Sequence, residues 1–136
     1  MDRASRVRTL GAVLATLILA GCPYGTRTVK IYVDKVRAAV TPVKAGQMAT
    51  VLIDANPGCV DAPQAAVTVF ERNTAGDAVR IAEVAVLATQ QIGQACPALF
   101  ATQSYSVTFV PQATGTWTIK GITDTRVTAE ATFSVE

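Results

Sequence analysis

The chain has 136 residues, no histidine, and 12 basic against 10 acidic side chains, a formal charge of +2. That length suits one domain, and the missing imidazole removes the commonest general base and transition-metal ligand. The near-neutral balance offers no clustered cations for nucleic-acid phosphates, so neither a nucleic-acid partner, nor a cofactor, nor a metal is expected.

The first segment reads as targeting information rather than structure. Arg3, Arg6 and Arg8 precede LGAVLATLILA (residues 10–20), an uncharged run that raises the mean hydropathy to +0.34. At about 11 residues the run is too short to span a bilayer and fits the apolar region of a signal peptide. Leu19-Ala20-Gly21-Cys22 follows. This motif resembles the lipobox of bacterial lipoproteins, in which small residues precede a cysteine that receives a diacylglycerol thioether before cleavage. The resemblance implies removal of residues 1–21, a mature N-terminus at a lipidated Cys22, and stable membrane anchoring, since several acyl chains hold where one does not. An ordinary cleaved signal ending in cysteine, or an uncleaved anchor, are the other readings. Pro23 stands where an Asp tends to mark inner-membrane retention, so the outer membrane is the expected address if the organism has one.

Without Arg3, Arg6, Arg8 and Asp2, the 12 basic and 10 acidic groups fall to 9 of each, a formally neutral mature chain. Residues 22–27 read as a lipidated N-terminus and short tether, reaching at most about 20 Å. The remainder, 28–136, is expected to fold as one domain close to the membrane face. Of the three cysteines, Cys59 and Cys96 remain once Cys22 is assigned to lipid. An even remainder in an exported protein reads as one disulfide, the alternative being two buried thiols. Closing a loop of about 38 residues stabilises by roughly 4 kcal/mol in the chain-entropy account.

From residue 28 the apolar period is two. Val29, Ile31 and Val33 alternate with Thr28, Lys30 and Tyr32, and Val36, Ala38 and Val40 carry the pattern to Pro42. Ala49, Val51 and Ile53 form the next strand, stopped by Asn56-Pro57-Gly58, a strong turn signal. Val67 and Val69 alternate with Thr68 and Phe70. Residues 78–87 change phase between Val79-Ile81 and Val84-Val86, which predicts either a strand bulged near Glu83 or a short helix, with the strand preferred. Tyr105, Val107 and Phe109 share a face, then Trp117 and Ile119, and finally Val127, Ala129, Ala131, Phe133 and Val135. About seven short strands with frequent turns predict an all-β, single antiparallel two-sheet sandwich.

The run YSVTFVPQATGTWTIK (residues 105–120) with TFSVE (132–136) is similar to the closing strands of immunoglobulin-like repeats of the filamin and bacterial types. Tyr105, Val107, Phe109, Pro111, Gly115, Trp117 and Ile119 occupy that pattern. The resemblance implies an immunoglobulin-like fold and no particular activity. Cys59 and Cys96 do not flank a central tryptophan in the antibody manner, so their pair is expected to join the loop after Ile53 to the loop before Tyr105.

No constellation for catalysis stands out. Asp54, Asn56 and Asp61 offer too few oxygens for calcium and suit a turn. Asp34 and Glu71 have nothing placing them at catalytic separation, and Ser104 and Ser106 lack a histidine. Lys44 and Lys120 carry no motif that would activate a serine. Residues 88–100 (ATQQIGQACPALF) read as the longest irregular stretch and the first choice for a binding loop, with Gln90, Gln91, Gln94 and Phe100 as its contact residues. Tyr32 and Phe70 fall out of phase with their strands and are candidate exposed aromatics for a partner. The sequence thus favours a non-enzymatic envelope lipoprotein that binds or scaffolds another envelope protein. A calcium- or glycan-binding lipoprotein and a loop-presenting hydrolase inhibitor are the alternatives.

Overall fold

A computed structural model describes residues 25–93 and 101–136. They form eight strands: β1 (Thr26–Lys30), β2 (Tyr32–Ala38), β3 (Ala49–Asn56), β4 (Asp61–Thr74), β5 (Asp77–Gln91), β6 (Gln103–Phe109), β7 (Gly115–Thr123) and β8 (Arg126–Val135). The strands make two sheets, β2-β3-β6 and a five-stranded sheet built on β5, packed as a β-sandwich. Cys22, Gln94, Cys96 and Phe100 lie outside the described residues.

Strand β5 is the spine of the larger sheet. Along one edge it carries β4, unbroken from Gln64↔Leu87 to Thr74↔Asp77. Along its other edge lie β7, parallel over Ile81–Val84, and then β1, antiparallel over Leu87–Gln91. Strand β8 completes the sheet beyond β7. The parallel β5–β7 pair departs from the purely antiparallel expectation. Strand β6 crosses to the opposite sheet between them, so two reversals return the chain to its starting direction.

The first predicted strand divides in two, which raises the count from seven to eight. The chain leaves the larger sheet at Ile31, whose N–H donates to the Val86 carbonyl at 2.8 Å, and enters the smaller one as β2. Hydroxyls pin this crossing. Buried Thr123 accepts from the Val33 N–H at 3.0 Å, and Thr128 donates to the Val33 carbonyl at 2.8 Å. A bulge between Val33 and Lys35 then shifts the buried positions from odd to even, so Val33 and Val36 both face inward. Strand β2 stops at Ala38, and Val40, expected to continue it, is 69% exposed because the chain bends away there.

The core is the sum of the inward faces. Val51, Ile53 and Ala55 of β3 oppose Val84 and Val86 of β5 and Trp117 and Ile119 of β7, all fully buried. Trp117, Phe109 and Phe133 cluster with ring centroids 5.5–6.3 Å apart, within the range of favourable aromatic pairing. The indole N–H, which burial would otherwise strand, donates to the Ala113 carbonyl at 2.9 Å.

Residues 78–87 are strand, and the bulge expected near Glu83 is absent. The phase change has another cause. Ala82, Val84, Val86 and Ala88 face the core, whereas Val79 and Ile81 lie on the outer face, where Ile81 is cross-strand to Phe70. The bulge in this hairpin sits instead in β4, between Asp61 and Gln64, where Ala62 takes φ 48°.

Candidate functional site

Pairing directions collect several of the expected site residues at one end of the sandwich. Strand β1 starts there at Thr26↔Gln91, β3 finishes there at Tyr32↔Asn56, β4 starts at Asp61↔Thr89, and β6 starts at Ala55↔Gln103. Cys59 belongs to the β3–β4 connection at this end and does not stand as a free thiol. The opposite end carries the Asn73–Ala78 turn, the residues between β2 and β3, and the residues between Phe109 and Gly115.

Two expectations about this end change. Of the residues 22–27 expected as a tether, Thr26 and Arg27 belong to β1 and the Gly25 carbonyl accepts the Ile92 N–H at 2.9 Å. The stretch 88–100 is not irregular throughout, since Ala88–Gln91 completes β5. The alternation of that strand simply continues past Leu87 because β1 supplies a partner for its backbone, and the sequence by itself did not announce that partner.

Gln90 is therefore a strand residue with its amide engaged. Arg27, directly cross-strand, donates to its Oε1 from Nε at 3.2 Å and from Nη2 at 2.9 Å. Gln91 is exposed at the strand end. Ile92 follows, 50% exposed and close enough to Gly25 that a Cβ there would lie 3.6 Å from its Cδ1. Beside them, an open groove of about 550 Å³ runs along β1, lined by Arg27, Thr28, Val29, Lys30, Asp124 and Thr125. The Lys30 ammonium makes a long contact of 3.4 Å to the Asp124 carbonyl. Asp124 adopts φ 53°, a left-handed conformation that Asp tolerates in turns. The groove thus holds two cations, one carboxylate and two hydroxyls, an arrangement that can bind an anion.

The two candidate aromatics separate. Tyr32 is 50% exposed at the start of β2, directly after the crossing at Ile31, while Phe70 is 44% exposed on the outer face of the β4–β5 hairpin. The other candidates have structural duties. Asn56 Oδ1 accepts the Gly58 N–H at 3.2 Å, closing a local turn. Asp54 accepts from the Ser104 hydroxyl at 2.8 Å, and Asp34 from the Thr102 hydroxyl at 3.4 Å. The Glu71 carboxylate accepts the backbone N–H groups of Gln112, at 2.9 Å, and of Ala113. Among the described residues, no three His, Cys, Asp or Glu side chains come together as a metal site.

Arg27, Lys30 and Ile92 were not singled out from sequence. Their signal was present: two cations three residues apart at the start of the period-two pattern, and a lone aliphatic residue before a glycine. Comparison with protein families, with characterised proteins and with solved structures finds no match to this chain.

Proposed function

We propose that this chain is an extracytoplasmic lipoprotein, lipidated at Cys22, whose sandwich is a non-enzymatic module that binds or scaffolds an envelope protein near the membrane. The outer membrane is its address where the organism has one. The observation that carries the reading is the distance between anchor motif and fold. Only Pro23 and Tyr24 separate Cys22 from Gly25, whose carbonyl is already hydrogen-bonded to Ile92. A domain with so little slack suits work at the membrane surface rather than long-range display. In this reading Cys59 pairs with Cys96 and the fold is of the immunoglobulin-like kind.

The partner surface we favour is the outer face of the β4–β5 hairpin around Phe70. Phe70 is an exposed aromatic cross-strand to Ile81 on that face, on a strand with no neighbour beyond it among the described residues. Exposed aromatics on a rigid sheet make good binding anchors because few rotamers must be frozen. The test is cross-linking of the full-length, lipid-modified protein in its native envelope, followed by capture and mass spectrometry. A reproducible protein partner, lost in Phe70→Ser, is the expected result. Equal capture of the same partner by Phe70→Ser would move the surface elsewhere, and the absence of any enriched protein would sink the scaffold reading.

A further inference from the structure

We infer that the Gly25 end of the sandwich is seated on the lipid bilayer, with Ile92 at the interface and Arg27 and Lys30 meeting lipid phosphates. The inference deepens the lipoprotein reading and rests on it. Where the chain outside the structure ends is the first argument. Three chain steps lead from Cys22 to Gly25, a reach of at most about 11 Å even when fully extended. From Thr26 onward the chain is held in the sheet by the five-pair register between β1 and β5. A lipid on Cys22 therefore fixes which end of the domain faces the bilayer.

The chemistry of that end fits the occupant. Ile92 is half exposed beside Gly25, where an aliphatic side chain gains by leaving water for the acyl boundary. The neighbouring groove presents Arg27 and Lys30, whose donors are only partly used. Arg27 spends Nε and Nη2 on Gln90 while Nη1 has no partner among the described residues, and Lys30 has a single long contact. Asp124 is the one carboxylate lining the groove, leaving an excess of one positive charge for phosphate. A free anion would use the groove alone, whereas a bilayer uses groove, Ile92 and tether together. Seating this end sends Met48 the other way. Strand β3 alone separates Met48 from the Asn56 end by about 26 Å.

The test uses the full-length, acylated protein reconstituted in vesicles of equal parts phosphatidylethanolamine and phosphatidylglycerol carrying brominated acyl chains. Bromine quenches nearby tryptophan, and native Trp117, fully buried, serves as background. Ile92→Trp and Met48→Trp place a second tryptophan at exposed positions of opposite ends. We expect quenching at position 92 to exceed that at 48 by about threefold or more. Replacing Arg27 and Lys30 together by Gln should weaken it at position 92. The mass of the N-terminal peptide from the same sample reports the lipid. An acylated protein quenched equally at both positions overturns the seating but leaves the lipoprotein reading intact. Unchanged quenching in the Arg27→Gln, Lys30→Gln variant overturns the phosphate contact. An N-terminus without acyl chains overturns the lipoprotein reading, and the seating falls with it.

Discussion

Strand β4 and the β7–β8 hairpin share one alternating pattern yet have opposite fates. In β7, every second residue from Trp117 to Thr123 is buried, including Gly121, because β2 of the other sheet lies across from it. In β4, alternation persists, but from Thr68 to Thr74 every residue is exposed on both faces. The half of the hairpin that lacks an opposing sheet keeps its hydrogen bonds and loses its core. An alternating sequence therefore specifies a strand, and the layer opposite decides what the strand is worth energetically.

Substitutions sharpen this contrast, the largest effect coming from the buried hairpin. Trp117→Ala removes the centre of the aromatic cluster and should cost about 3–5 kcal/mol, read as a lowered urea midpoint or failure to fold. A native-like midpoint would mean the cluster is not the core's centre. Next comes Gly121→Ala. An added Cβ would lie 2.6 Å from Val33 Cγ1 and 3.1 Å from Val36 Cγ1, so β2 must shift, at about 1–3 kcal/mol. An unchanged melting temperature would show that β2 yields freely.

The exposed half of β4 should respond less. Glu71→Ala frees two N–H groups of the residues between β6 and β7, and the exposed setting limits the loss to about 1 kcal/mol. Amide exchange at Gln112 and Ala113 should rise in the same variant, and unaltered protection there would refute the clamp. Phe70→Ser is expected to change stability by less than about 0.5 kcal/mol, since its face packs against no second layer. A larger loss, by chemical denaturation, would show that Phe70 works structurally and would weaken its use as a partner anchor.

Much of the strand order was legible from alternation. Tyr105, Val107 and Phe109 share an inward face as read, Trp117 and Ile119 are buried, and Phe133 and Val135 close the core. The same rule failed at Val127, 47% exposed though in sequence phase with Phe133, because the irregularity between Gly121↔Ala129 and Ile122↔Val127 shifts the register and turns Val127 outward beside Ile122. It also misjudged residues 78–87. Apolar residues on the two faces of one straight strand look, in sequence, like a phase change. The site was less legible still. Gln90 and Gln91 were placed in a loop, and the cations beside them, Arg27 and Lys30, passed as part of a tether and of an ordinary strand.

By itself the sequence determined the local facts: period-two strands, turn residues such as Asn56-Pro57-Gly58, and the motif ending in Cys22, each a property of neighbours along the chain. Tertiary structure alone decided which strands pair and where faces are covered. Strand β1 joins β5 rather than β3, β7 runs parallel to β5, and Thr123 and Thr128 hold the crossing at Val33. Such pairings join residues 37 to 95 positions apart, and no short-range pattern encodes them, because backbone hydrogen bonding is the same for every strand and only the fit of side chains across the core selects among partners.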